Sequence, residues 1–422
     1  MFLSRSLSTS VLFVSLSSVF ATLYADDSMN NWTRFRGANG LGVLEDCSVS
    51  LPWKPEQVLG QIDLPAFGNG SPVIWGSTAF LLCGDQSNAD RYLVAVDIEK
   101  PRKLWEKKYA SSVHKLHVLS SFASSTPCVD AKQVYCAWGS PESLTIKAFT
   151  HDGQEVWSRD LGRYETQHGF GTSPIIVGDL VVLFNSQDAE ELPAGVEPGT
   201  ESMIALDRST GATVWETPLK ATRVCYGVPC VTTINDKEAI LCSSTGSGFF
   251  ALDAKTGTPL WSPVPSIFEK RVCSSLLHTG SLLISTEGSG GGGNILFAVK
   301  DDGSQEEVYR ISKAAPYVPT PIAKRDMIFL WADNGVVSCL DAKTGSTHWS
   351  ERIGGDVSSS PVILGDSLIG ISRLGVVTIL AADKTFQKLG EVAMEQTVRS
   401  TPAATKDRIL IRSDEQLWVI AP

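Results

Sequence analysis

From about residue 59 to its end, the chain alternates short apolar runs with turn signals, and helical periodicity is nearly absent. One eleven-residue pattern organises these runs. It reads Ala251-Leu252-Asp253-Ala254-Lys255-Thr256-Gly257-Thr258-Pro259-Leu260-Trp261, returns at 339–349 and appears again at 205–215. The Ala-Leu pair ends an apolar strand, and the Asp can accept from backbone amides two residues on, which nucleates a turn. The Gly supplies positive φ, and the Trp anchors the returning strand. The unit is strand, tight turn, strand, and one hairpin of this size cannot bury its own apolar face. A second mark, Ser or Thr followed by Pro and an apolar run, precedes each hairpin. It stands at Ser71-Pro72, Thr126-Pro127, Ser173-Pro174, Thr320-Pro321, Ser360-Pro361 and Thr401-Pro402, with Val228-Pro229 and Ser274-Ser275 as degenerate copies. A Gly-Asp turn and a further apolar run often follow, as at 178–184 and 365–371.

Each unit therefore reads as four strands. The turn position recurs at Asp97, Thr150, Asp207, Asp253, Lys300, Asp341, Ala382 and Ala421, at intervals of 39 to 57 residues. Four-stranded units of that length are the signature of propeller blades. The eighth unit stops one strand short at residues 417–420, while residues 58–64 form a spare strand ahead of the first Ser-Pro mark. The expected fold is all-β, an eight-bladed β-propeller of four-stranded blades, closed by pairing 60–64 with 418–420; closure removes two exposed sheet edges. Two excursions lengthen the early units. Residues 185–201 carry five acidic side chains and two prolines and read as a solvated loop; 111–122 are Ser-rich with His114 and His117. The glycine run at 288–293 reads as a flexible hairpin loop.

The first residues change the picture of where the chain works. Arg5 is the only charge before an apolar and small-residue run at 11–23, which is short for a membrane span. The expectation is a signal peptide over 1–25, cleaved after Ala21 or Ala25. A looped leader over 26–57 follows, its aromatic residues packing on the body, and then the propeller over 58–422. The mature chain would be periplasmic or secreted, without an integral membrane segment, and monomeric. Of nine Cys, Cys83, Cys136, Cys242 and Cys339 lie in strand-like runs and read as buried hydrophobes. Cys225 and Cys230 could pair across a turn, although the reading favours free thiols. A formal net charge of -10 argues against a nucleic-acid partner, which needs a basic footprint.

The repeated Ala-x-Asp-x-x-Thr-Gly-x-x-x-Trp pattern resembles the pyrroloquinoline-quinone (PQQ) repeat, over about 58–422. The leader, Trp32 to Gly42, is similar to the Trp-x-x-Phe-Arg-Gly opening of exported PQQ-like propellers. Length and blade number are similar to those of the outer-membrane assembly factor family BamB, whose members are non-enzymatic scaffolds and usually lipoproteins; no lipid-acceptor Cys stands near either cleavage site. The resemblance implies that Asp97, Asp207, Asp253 and Asp341, with Gly211, Gly257, Gly345, Trp215, Trp261 and Trp349, are structural repeat residues.

The enzymes that share this repeat imply the contrary expectation, a calcium-bound quinone with a carboxylate base beneath a ring of two adjacent half-cystines. No adjacent Cys pair or Cys-x-x-Cys-His haem motif occurs, and no Gly-x-Ser-x-Gly nucleophile signature. Neither His114/His117 nor the Asp85–Asp90 stretch completes a metal set, and the glycine run lacks the Gly-Lys-Ser/Thr of a phosphate loop. The reading is no catalytic residue, no metal, and neither PQQ nor calcium. What remains is a surface. Residues ahead of the Ser/Thr-Pro marks belong to loops on one rim, and they include His168, Arg223, Tyr226, Arg271, Tyr317 and Arg399. Arginine and aromatic residues suit an interface centre, so the expected partner is an envelope protein or peptide segment, acidic or aromatic in character. As loop side chains, Arg271 and Arg399 are expected to be replaceable together with little effect on stability and a loss of partner capture.

Overall fold

The computed structural model describes residues 31–290 and 292–422; the expected signal peptide and its cleavage sites lie outside them. The apolar runs form eight antiparallel sheets, in chain order around a ring. Blade 1 illustrates the plan: Val73–Trp75 is innermost, and Thr78–Gly84, Arg91–Asp97 and Arg102–Tyr109 follow outward. The two middle strands are apolar on both faces because neighbouring blades cover both; the outer strand alternates exposed with partly buried positions. Blade 8 is completed from the other end of the chain. Val58–Asp63 pairs antiparallel with Gln416–Ile420, with Gln61 opposite Trp418 and Ile62 opposite Leu417, so the ring closes as expected.

Blade 4 departs from the four-stranded plan. Cys230–Ile234, Lys237–Ser244 and Gly248–Asp253 are its three strands, and beyond them only a bridge joins Leu252 to Pro259. Pro259, Pro263 and Pro265 cannot donate to a ladder, which accounts for the missing fourth strand.

The eleven-residue pattern joins blades as well as turning the chain. Asp253 Oδ1 accepts from the N–H of Lys255 and Thr256, and Asp97, Asp207 and Asp341 repeat this in their own turns. Gly211, Gly257 and Gly345 take φ of 73°, 71° and 70°. The Trp then reaches the next blade. Trp215 donates to Ala254 O at 3.1 Å and lies against Gly257, where a Cβ would come within 2.5 Å of its ring. Trp157 and Trp349 donate to Arg208 O and Asp383 O, and Trp261 packs on Gly303. The dockings of Trp157, Trp215 and Trp349 each bury an indole and satisfy its only donor, whereas half-buried Trp261 makes the packing contact alone.

The leader runs as a chord across one end of the axis. Asn31–Trp32 adds to the inner strand of blade 1, and Val43–Leu44 pairs parallel with Val362–Leu364 of blade 7. Trp32 and Trp53 are buried, in line with the expectation that leader aromatics pack on the body. Two arginines go in with them. Arg34 donates to Pro229 O of blade 4, and Arg36 to Pro321 O of blade 6 at 3.1 Å and Pro361 O of blade 7 at 3.5 Å. Among the described residues no helix is long and apolar enough to cross a membrane, and all nine Cys are free, Cys225 and Cys230 included.

Candidate functional site

The innermost strands start at the end of the axis opposite the leader. There the Ser/Thr-Pro marks form a ring of hydrogen bonds between blades. The N–H of Ser71 donates to Thr126 Oγ1, Thr126 to Ser173, Val228 to Ser275, Ser275 to Thr320, Thr320 to Ser360, Ser360 to Thr401, and Thr401 back to Ser71, all at 2.9–3.1 Å. The break in the series falls where Val228 offers no hydroxyl; Thr172 Oγ1 donates to Gly227 O there, at 3.4 Å. The Pro that follows every mark except Ser275, where Leu276 stands, has no N–H to leave unpaired in this crowded zone. The small residues ahead of the marks are equally constrained: a Cβ on Gly70 would lie 2.2 Å from Ser125 O.

Above this ring the axis widens into a cavity of about 470 Å³, with Phe35 of the leader among its lining. Because the leader spans the axis from blade 1 to blades 4, 6 and 7, the cavity is a funnel with one mouth. Its walls are the loops entering the inner strands and the hairpins between the two middle strands. Carboxylates on those hairpins pin the loops. Asp188 accepts from Gln167 N and Val224 N, Glu287 from Glu269 N and Lys270 N, and Asp333 from Tyr317 N and Val318 N. Burial pushes the Asp333 carboxyl up, against those two N–H groups.

His168, Tyr226, Arg271, Tyr317 and Arg399 all line the funnel. Arg223 does not; it lies on the same rim and pairs with Glu191. Each funnel arginine already has a carboxylate partner. Arg399 sits 3.2 Å from Asp414 with its guanidinium 4.9 Å over the Phe67 ring, and Arg373 is 2.5 Å from Asp356. Arg271 donates to Val224 O at 3.1 Å and lies 3.5 Å from the buried Asp188. Arg271, with its side chain 15 % exposed against a buried carboxylate, is a structural tie as well as a lining residue, which argues against the expectation that its replacement is neutral for stability.

Arg271 Nη1 stands 3.4 Å from His168 Nε2. A guanidinium only donates, so Nε2 accepts and the imidazole proton resides on Nδ1. Burial first, and the Arg271 charge second, bring the His168 pKa down to about 4, with Asp188 opposing. The His117 ring stacks on it at 5.4 Å and 10°.

His117, Phe35, Asp333 and Arg373 are lining residues that the sequence reading did not place here. A faint signal existed for Asp333 and Arg373, which follow the second strand of successive blades; His117 and Phe35 carried none. The 185–201 segment also differs from expectation. Its middle is exposed, but Asp188 and Glu201 are buried, and Glu201 accepts from Ser186 Oγ and Ser244 Oγ, both at 2.7 Å. Among the described residues no group of three or more His, Cys, Asp or Glu side chains could hold a metal ion.

A family model described as outer membrane protein assembly factor BamB matches residues 88–272, 142–384 and 315–414. Solved structures share the fold at low identity. BamB from Moraxella catarrhalis has a TM-score of 0.60 at 16% identity, over 86% of this chain and 97% of that one. A europium-containing methanol dehydrogenase has 0.69 at 10%, over 93% and 98%, and the quinohemoprotein alcohol dehydrogenase from Comamonas testosteroni has 0.66 at 10%, over 95% and 82%. No curated protein sequence matches the chain.

Proposed function

This chain belongs to the outer membrane protein assembly factor BamB family, a family of PQQ-like propellers, and from that premise we propose that it is a non-enzymatic scaffold of the cell envelope that binds a protein partner through the mouth of its axial funnel. The observation that carries this reading is the state of the funnel's charged groups. Every lining arginine is paired, and Asp333 is held by two backbone N–H groups. A general acid or base must be free to exchange a proton with a reacting group, and the one carboxylate in the lining, Asp333, is committed to two backbone N–H groups. A calcium-bound quinone fits poorly for the same reason: the carboxylate oxygens it would draw on are committed to N–H and guanidinium partners, and no adjacent Cys pair exists. No step is assigned to such a group.

The test is photo-crosslinking in the producing cell from rim positions Val318 and Leu374, with Leu104 and Val214 on the outermost strands as controls. A partner linked from the rim and not from the outer strands is the expected result. Crosslinks confined to the outer strands, or sustained alcohol oxidation by the purified protein supplied with quinone and calcium, would overturn the reading.

A further inference from the structure

Ten of the thirteen exposed large apolar side chains among the described residues fall into two populations, and Leu41, Val113 and Val264 belong to neither. One is a set of single residues on outermost strands, Leu59, Leu104, Val156, Val214, Val308 and Leu389, spread around the girth of the ring. Scattered singly, these need no partner. The other gathers at one place. Leu119 and Val318 line the funnel and are 38% and 42% exposed; Val118, 86% exposed, borders the adjoining depression that shares Ser120 and Arg399; and Leu374, 76% exposed, follows the lining residue Arg373.

We infer that the funnel receives one large uncharged side chain of a protein partner, aromatic in preference, while Val118, Leu119, Val318 and Leu374 cover the residues on either side of it. This rests on the scaffold reading above and names the chemistry of the partner. Three observations carry it. The first is the blind end. With the leader hydrogen-bonded to inner-strand carbonyls of blades 4, 6 and 7, a chain cannot thread the ring, so whatever enters leaves by the same mouth. The second is size. A cavity of about 470 Å³ is at the lower end of ligand pockets, roughly 300–1,000 Å³. It is too small for a helix of about 10–12 Å diameter and ample for a side chain.

The third is charge complementarity, and it decides against an acidic partner. A carboxylate entering the funnel would meet arginines whose positive charge is already matched by Asp188, Asp356 and Asp414. It would shed its water without an unpaired cation in return, and an unpaired buried charge is costly. A neutral ring pays no such penalty. It meets Tyr226, Tyr317 and the stacked His117–His168 pair, with neutral His168 adding no charge. An apolar anchor in a pocket ringed by water-excluding contacts is how binding energy concentrates in protein interfaces.

The experiment uses the mature chain and three acetylated, amidated pentapeptides, Gly-Ser-Trp-Ser-Gly and its versions with Ala or Glu in place of Trp, titrated by calorimetry at about 50 and about 500 mM NaCl. The Trp peptide is expected to bind at least roughly tenfold more tightly than the other two, with less than about a twofold change between the salts. Ser358→Trp and Ser289→Trp, each filling the funnel from a different loop, should abolish that preference, and Leu374→Asp should weaken binding severalfold. Tighter, salt-dependent binding of the Glu peptide would overturn the inference and assign the arginines to an anion. Trp-peptide binding that survives both filling variants, or no binding by the Trp peptide, would overturn it too. If a partner crosslinks at the rim while the peptides show no Trp preference, this inference fails and the scaffold reading stands.

Discussion

Glu201 offers a direct measurement of how the rim is supported. Its carboxylate is buried, 3% exposed, and accepts from Ser186 Oγ and Ser244 Oγ. Ser186 Oγ in turn accepts from Cys225 N, in the loop that carries Arg223 and Tyr226. Burial raises the Glu201 pKa from 4.5 to about 7, against the two serine hydroxyls. In the unfolded chain the group ionises near its ordinary value, so between the two values the native state holds a proton that the unfolded state has lost. Stability is therefore present in full below about 4.5, declines as pH rises towards about 7, and stays at its lower level above that. At about 1.4 kcal/mol per pH unit the loss is roughly 3 kcal/mol. Glu201→Gln keeps the shape and cannot ionise. Urea unfolding of both proteins should give equal stabilities near pH 4.5 and an advantage of roughly 3 kcal/mol for the variant near pH 8. Other titrating groups cancel in the difference. A difference that stays constant across that interval would refute the reasoning, because it would mean that the carboxyl ionises alike in both states.

Gly257→Ala should cost about 1–3 kcal/mol in urea unfolding and perturb Trp215 fluorescence, since φ is 71° and the added Cβ meets the indole. Ile62→Ala, in the closing strand and 6% exposed, should cost roughly 2–4 kcal/mol; an unchanged unfolding midpoint would count against closure through that strand. Arg271→Ala should lower the melting temperature by several degrees, because it leaves the buried Asp188 facing a lost cation; an unaltered melting temperature would make Arg271 a free surface residue. Nitrogen-detected NMR should find the proton of His168 on Nδ1 and no titration above pH 5, as the Arg271 contact and a pKa of about 4 require.

The sequence alone was enough for the ring. The Asp-x-x-Thr-Gly turns, the Trp that follows them and the spare strand at 58–63 are local signals, each set by a few neighbouring residues, and they repeat often enough to be read without ambiguity. Blade 4 was misread as four-stranded although the cause, Pro259, Pro263 and Pro265, stood in the sequence; the repeat pattern outweighed the missing donors. The Ser/Thr-Pro mark was equally visible, but its purpose was not. A hydroxyl that accepts from a backbone N–H some forty to fifty-five residues away, or 330 residues away where Thr401 meets Ser71, acquires its partner only when the ring closes.

The site divides in the same way. The loops that precede the inner strands follow from the blade pattern, so the six residues could be assigned to one rim from sequence; that five of them line a cavity is visible only in the structure. What those residues offer could be decided only in three dimensions. Charge neutralisation depends on distances of a few ångströms between side chains far apart in the chain, such as Arg271 and Asp188, and a row of arginines reads as positive until its aspartates are seen. Closure of one mouth depends on a leader whose hydrogen bonds fall on blades 4, 6 and 7, nearly two hundred residues and more downstream. Local chemistry writes the strands and turns of a propeller. The axis belongs to all eight blades at once, and its polarity and depth are set by contacts that no single stretch of the chain contains.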